Sequence, residues 1–384
     1  MNSKTFCIAP WTHTCVRPTG RLTPCCEWKE QSDSVLSKSN RFENFDQWKN
    51  SDQMKQTREK LHSGQKIDSC STCWVNEASG KKSLRQVYNI EFSKYFDFST
   101  MDTQTWEVND SITTIDLKLG NLCNLKCAMC SPWSSSQLMS EYLTNKDKFH
   151  SLENYQPTPI DLDFTWPLTS DFKEFMDKFA NQIRWIKFTG GEPTIIPYVL
   201  DVLKEIKRPE SVTVSFTTNG TRINTELLDV LLKFKTVWIS ASLEGIGDHN
   251  DTIRYLSNWQ EVENNIMELA KLPNLYFNIN HVLQCFSAST LIPLLHWCEQ
   301  KNFNIGLNPL SRPAYLSINS VEPGIINKFT QELGELKLQV NHKSVSQAIA
   351  FLKTYQYDEN LHRQRIQYLT TLDQIRNTEL LEIV

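Results

Sequence analysis

From about residue 112 to residue 310 the chain alternates strand-like and helix-like segments, and this alternation narrows the fold more than any other feature. "TIDLKL" (114–119), "IRWIKFT" (183–189), "VTVSFTT" (212–218), "TVWISASL" (236–243), "LYFNINHVL" (275–283) and "FNIGLNP" (303–309) read as strands. Helical spacing of apolar residues fills 196–207, 224–234, 258–271 and 288–300 between them. Repeated βα units favour a parallel sheet or barrel with helices outside. Six units suit a partial (β/α)6 barrel of the TIM type better than a full eight-unit one, with a doubly wound open sheet as the alternative. In either case functional residues are expected at the C-terminal ends of the strands.

The flanks read differently. Residues 1–30 are rich in Pro, Gly, Cys and Thr and suggest a hairpin or loop. Residues 41–62 carry a helical pattern that Gly64 would end. The expected organisation is a small cysteine-rich α+β module over 1–110, a βα core over 111–310 and a helical extension over 311–384. Residues 144–170 form a long insertion, read equally as a lid or as a surface excursion.

Composition narrows the function. The chain has 384 residues, 40% hydrophobic and 22% charged, the balance of a globular protein. A formal net charge of -4 argues against nucleic acid as the main partner. No apolar run approaches the ~20 residues that span a bilayer, and "MNSKTFCIAPW" lacks the marks of a signal peptide. A cytoplasmic location is therefore expected. In a reducing compartment eleven cysteines read first as metal ligands or redox groups. Cys285 and Cys298 stand apart in apolar surroundings and read as core residues.

"GNLCNLKCAMCSPW" follows the first strand and spaces Cys123, Cys127 and Cys130 as C-x3-C-x2-C. Three thiolates can hold three irons of a [4Fe-4S] cluster and leave the fourth open to a ligand. A zinc site completed by a distant His, or three unrelated thiols, are the competing readings. "FTGGEPTI" follows the second strand; Gly190 and Gly191 permit close backbone approach to a ligand, and Glu192 before Pro193 can accept hydrogen bonds from one.

Together the three-cysteine loop and Gly190-Gly191-Glu192-Pro193 resemble the radical S-adenosylmethionine (radical SAM) superfamily, over residues 112–310. The resemblance implies that Cys123, Cys127 and Cys130 are the catalytic, iron-binding cysteines of a [4Fe-4S] cluster. It further implies that the open iron chelates SAM, and that reductive cleavage yields a 5'-deoxyadenosyl radical that abstracts hydrogen from substrate. Met129 stands where the family often has an aromatic residue near the nucleotide. Asn219 in "TTNGT", Ser242 in "SLEGIGDHNDTIRY" and Arg254 align with family contacts to SAM, with Glu244 replacing the usual Asp.

Cys7, Cys25, Cys70 and Cys73 make a set of four, spaced C-x17-C-x44-C-x2-C, with Gly20 placed for a tight turn. The set resembles the twitch, or truncated SPASM, module that carries an auxiliary [4Fe-4S] cluster, here ahead of the core instead of after it. A structural zinc site is the competing reading, and Cys26 competes with Cys25 as a ligand. The implied function is an iron-dependent oxidoreductase or modifying enzyme acting on a peptide or small molecule. It would draw electrons from a flavodoxin- or ferredoxin-like donor. The alternatives are a non-catalytic iron-sulfur or zinc-stabilised interaction protein and a nucleic-acid-modifying enzyme.

Overall fold

The computed structural model describes residues 4–29, 44–78, 82–109, 112–153, 155, 163–310 and 312–384. Packing divides the chain into two compact units. The first comprises Met1–Gly120, Asp161–Ser215 and Lys233–Val237, and the second Asn121–Ile160, Phe216–Leu232 and Trp238–Val384.

The first unit is built on strands β1 (His13–Val16), β2 (Leu22–Thr23), β3 (Thr114–Leu117) and, beyond the short strand β4 (Lys126–Cys127) of the second unit, β5 (Trp185–Phe188). Their order is β2-β1-β3-β5, followed by the first half of β6 (Thr213–Thr218). Strands β1, β3 and β5 are parallel, with Cys15 opposite Asp116 and Asp116 opposite Lys187. The N-terminal segment thus joins the sheet of the βα array instead of packing as a separate layer. Its β1–β2 hairpin is antiparallel, as the Gly- and Pro-rich composition suggested. The turn needs Gly20, whose φ is +79°. An added Cβ there would sit 2.9 Å from Cγ of Trp166, whose indole N–H donates to Pro18 O at 2.9 Å. Trp166 therefore anchors the end of the 144–170 insertion. Residues 146–150 of that insertion are helical, and residues 154 and 156–162 lie outside the described set.

The helical pattern expected over 41–62 resolves into two helices, Phe45–Lys49 and Asp52–His62. Ser51 separates them because its hydroxyl caps the second by accepting from Met54 N. Arg58, fully buried, ties this region together by donating to the carbonyls of Pro10 (3.0 Å), Trp106 (2.7 Å) and Lys49. A buried guanidinium persists only when its donors are satisfied. Phe6, Ile8, Trp11, Leu61, Tyr88 and Phe92 form the apolar core beside it.

The second unit holds the rest of β6, then β7 (Thr236–Ser242) from Trp238 onward, β9 (Leu275–Leu283) and β10 (Asn304–Pro309) in that order, with β9 and β10 parallel. Helices Thr225–Leu231, Trp259–Leu269 and Ser287–Lys301 lie between the strands where the apolar spacing put them. The C-terminal residues form helices Pro323–Glu335, His342–Leu352 and Glu359–Arg376, as expected. Cys285 and Cys298 are fully buried in this unit's apolar core. No described helix is long and apolar enough to cross a membrane.

Gly20→Ala introduces both an unfavourable backbone conformation and a clash with a rigid indole. It is expected to lower stability by about 1–3 kcal/mol, read as a fall in the thermal unfolding midpoint, whereas Gly64→Ala, with open space around the added carbon, should cost less.

Candidate active site

In the second unit, β4 (Lys126–Cys127) pairs antiparallel with β8 (Arg254–Tyr255), placing Cys127 opposite Arg254. Ala128 N donates to Ile253 O at 2.9 Å, extending the ladder. The loop is held on its other side by serines that begin the helix Ser136–Thr144: Ser135 Oγ donates to Leu125 O at 2.7 Å, and Ser136 Oγ to Cys123 O at 3.2 Å. Tyr368, from the last long helix, donates its hydroxyl to Ala128 O at 3.0 Å. Arg376 pairs with the buried carboxylate of Glu141 at 2.6 Å, and Lys126 reaches the same carboxylate at 3.3 Å.

This bracing gathers three thiols of graded exposure: Cys127 is buried, Cys123 half-buried and Cys130 exposed. A hydrogen bond from Cys130 lowers the Cys127 thiol below its ordinary range, against the effect of burial, with Arg254 and Arg376 assisting. Cys130 is raised correspondingly, because it supplies the proton. Asn219 Nδ2 lies 3.9 Å from Cys123 Sγ and donates to Asn124 Oδ1 at 3.0 Å. Thr221 closes that network by donating to Asn219 Oδ1 at 2.7 Å.

Arg254 is the cation of the site. Burial opposes its charge, yet Cys127, Glu244, Cys130 and Cys123 outweigh burial and raise its pKa. Glu244 Oε1 lies 3.7 Å from Arg254 Nη1, and Glu244 Oε2 accepts from Gln284 Nε2 at 3.0 Å. Burial pushes the Glu244 carboxyl up to about 8 despite Arg254. His281 beside it is fully buried, bonded through Nδ1 to Leu243 O and through Nε2 to Ser287 Oγ, and burial lowers its pKa to about 4. Ser242 ends β7 half-buried, and Met129 packs partly buried against the core.

In the first unit, Gly190 has φ +112°, and a Cβ there would lie 3.1 Å from Lys118 Cβ and 3.2 Å from Gly120 O. Gly191 N donates to Gly120 O at 3.4 Å. Gly190 is thus required by backbone approach. Glu192 is buried, and its Oε1 accepts from Thr194 N (3.1 Å) and Thr194 Oγ1 (2.7 Å), so this carboxylate is oriented by its own turn. Pro193 lies within that turn, just before the helix Pro197–Glu205.

The same unit brings together the four N-terminal cysteines. Burial raises Cys7 to about 12, with Cys73 adding to the effect. Burial also raises Cys70, assisted by Cys7 and Cys73. Cys25 is raised well above its ordinary value by burial, then by Cys26, Cys7 and Cys70. Cys26 differs: after burial, its surroundings are Asp116, Lys187 and Cys15. Four thiols that raise one another's pKa are set against mutual charge unless a cation neutralises them. Among the described residues no three His, Cys, Asp or Glu side chains close around a single metal ion. Both cysteine sets have the donor chemistry for iron-sulfur clusters, whose thiolates each bind a different iron.

Residues 117–283 match the family model described as the radical SAM superfamily. The chain carries a radical SAM domain. That domain spans the three-cysteine loop, Gly190–Pro193, Asn219, Ser242 and Arg254. A curated relative, a probable GTP 3',8-cyclase of Thermococcus kodakarensis, is 27% identical over 137 residues, covering 35% of this chain and 36% of its own. The chain therefore spans about a third of that relative. Among solved structures, native anSMEcpe with bound AdoMet is 20% identical, with a TM-score of 0.39, covering 58% of this chain and 60% of that one. Streptococcus suis SuiB bound to precursor peptide SuiA is 15% identical with a TM-score of 0.35, covering 83% and 63%.

Sequence reasoning missed Asn124, Thr221, Tyr368 and Arg376. Asn124 and Thr221 adjoin motif residues and could have been read as their partners. Tyr368 and Arg376 lie more than 200 residues along the chain on a helix with no local signal, and only folding brings them to the loop.

His281 stays neutral in the folded state, so the unfolded chain binds the extra proton between pH 6.5 and 4. Stability present above pH 6.5 is lost as pH falls through this window. Denaturant titration is expected to show His281 costing about 2 kcal/mol between pH 7 and pH 5. His281→Gln should flatten that part of the profile.

Proposed function

We propose that the chain is a radical SAM enzyme in which Cys123, Cys127 and Cys130 hold a [4Fe-4S] cluster that chelates SAM. When bound, the cluster supplies the electron that cleaves SAM to a 5'-deoxyadenosyl radical for hydrogen abstraction from substrate. The observation that carries this reading is the family match over 117–283, which contains three gathered thiols beside a charged, buried Arg254. Cys127 is poised toward thiolate, the form that ligates iron. Arg254 balances the anionic loop, Asn219 steadies the Cys123 side, and Gly190, Gly191 and Glu192 with Pro193 are read as the holder of the SAM amino group. Met129 and Ser242 are read as nucleotide contacts. We read the sheet as a partial (β/α)6 barrel over 111–310, with a helical extension over 311–384.

The N-terminal 110 residues are read as a twitch-like module in which Cys7, Cys25, Cys70 and Cys73 hold an auxiliary [4Fe-4S] cluster. Cys25 is favoured over Cys26 because Cys7 and Cys70 are among the groups that raise its pKa, whereas neither acts on Cys26. With all four positions filled, such a cluster would serve electron transfer or substrate binding. The substrate class proposed is a peptide or small molecule, with a flavodoxin- or ferredoxin-like donor.

Anaerobically reconstituted protein is expected to bind about eight irons, four per cubane. Changing Cys123, Cys127 and Cys130 to Ala should leave about four and abolish 5'-deoxyadenosine formation from SAM under reduction. Wild-type protein that never forms 5'-deoxyadenosine would overturn the enzyme reading. A second set of variants separates the auxiliary ligands: Cys25→Ala should lose about four irons, and Cys26→Ala none. Zinc in place of the second cluster would favour the structural-metal alternative.

A further inference from the structure

Strands β9 and β10 carry a residue type that strands normally avoid. Asparagine is depleted from β-strands, yet Asn278 and Asn280 stand on β9, and Asn304 and Asn308 on β10. Successive side chains of a strand point to opposite faces. The register sets Asn278 beside Asn304, Asn280 beside Gly306 and Val282 beside Asn308, so the four asparagines share one face. The opposite face holds Ile279, Leu283 and Ile305, buried in the apolar core. On β7 the same alternation buries Val237, Ile239 and Ala241 and leaves Trp238, Ser240 and Ser242 on the asparagine side. Two contacts tie β7 to β9 across that side. Asn278 Nδ2 donates to Ser240 Oγ at 3.1 Å, and the rings of Trp238 and Tyr276 stack with centroids 4.9 Å apart and planes 20° apart.

Folding alone does not account for this face. Trp238 and Tyr276 remain 41% and 61% exposed, although burying a large ring is ordinarily favourable. Water hydrates the amides, but it gives nothing in return for leaving two rings in solvent. The amides are held in place: Asn308 Nδ2 donates to Asn280 Oδ1 at 2.6 Å, as Asn278 does to Ser240. These bonds fix which way each amide points. Gly306 is the third feature. It lacks the positive φ that demands glycine, and a Cβ there would meet nothing closer than 3.8 Å. The atoms nearest that Cβ include Asn308 Nδ2 at 3.8 Å and Asn278 Nδ2 at 3.9 Å. Neither backbone strain nor crowding calls for glycine, and its bare Cα leaves a notch walled by two amides. Glycine inside a strand weakens it and marks places where a ligand approaches closely. No strand residue on this side of β7, β9 or β10 is charged.

We propose that this face binds an uncharged oligosaccharide, with one ring stacked on Trp238 and Tyr276 and the hydroxyls of the next on the amides around the Gly306 notch. A hydroxyl and an amide side chain each donate and accept, so they pair in either sense. A phosphate or carboxylate calls for a cation, which these strands do not supply. Trp and Tyr join an apolar body to a polar tip, and a sugar ring likewise joins a C–H face to hydroxyl edges. From Tyr276 to Asn280 is four residues, about 13 Å along a strand, which is longer than one sugar ring and suits two. The face continues to Ser242, about 7 Å beyond Ser240, the residue read above as a nucleotide contact. The inference names a substrate class for the proposed radical chemistry. It rests on that reading for the reaction and not for the binding.

The test uses the full chain, reconstituted anaerobically with iron and sulfide, and isothermal titration calorimetry with maltose, cellobiose, lactose and N,N'-diacetylchitobiose. At least one is expected to bind. Gly306→Ala fills the notch without strain, so it should keep or raise the thermal unfolding midpoint while weakening that disaccharide about tenfold or more. Tyr276→Ala removes an exposed ring and should also weaken it about tenfold or more. If Gly306→Ala fails to fold, Tyr276→Ala decides alone. Binding of none of the four, or full affinity in a folded Gly306→Ala protein, would overturn the proposal. So would binding of an uncharged peptide, acetyl-tetraalanine amide, in place of every saccharide. The titrations contain no reductant, so failure of the radical reading shows separately in the 5'-deoxyadenosine assay.

Discussion

The pairing of Cys127 with Arg254 across two short antiparallel strands is the contact on which the second unit's site depends. A loop carrying three thiols would otherwise be free to spread, because short cysteine-rich segments bury little apolar surface. The ladder sets its register with backbone hydrogen bonds and, in the same step, puts a guanidinium beside the thiols. Arg254 holds its charge in a buried place because the loop is anionic, and Cys127 is driven toward thiolate partly because Arg254 is there. Each group offsets the desolvation of the other.

Around that contact the support is layered and comes from distant chain segments. Ser135 and Ser136 satisfy loop carbonyls while starting a helix, so one pair of residues performs two structural tasks. Tyr368 and the Arg376–Glu141 pair bring the last long helix against the loop from more than 200 residues away. Glu244, with an extra methylene compared with the family's aspartate, reaches Gln284 and the vicinity of Arg254. Its raised pKa follows from burial that Arg254 only partly compensates.

The first unit solves a different problem. Its N-terminal segment contributes β1 and β2 to the sheet beside β3. Arg58 and Trp166 then fasten loops through their donors, with carbonyls as the acceptors. A consequence is that the polar face of β1 comes to lie against β3 and β5, bringing together His13, Cys15, Asp116 and Lys187, residues that no sequence motif connects.

The sequence by itself determined the alternation of strands and helices, the three-cysteine loop after the first strand and the glycine pair after the second. These are local patterns: periodicity, spacing and the absence of a side chain at Gly190 are legible along the chain. It also placed the βα helices to within a few residues, since apolar spacing records which face is buried. It misread 41–62 as one helix, because the Ser51 cap sits inside an otherwise helical run. It favoured Cys25 over Cys26 on spacing alone, since adjacent residues have the same composition around them. In the folded chain the charged neighbours that act on Cys25 include Cys7 and Cys70, and those that act on Cys26 include Asp116 and Lys187. Tertiary structure alone decided that Tyr368 meets the loop. The physical reason is that hydrogen bonds and burial are properties of positions in space, and chain separation carries no record of them.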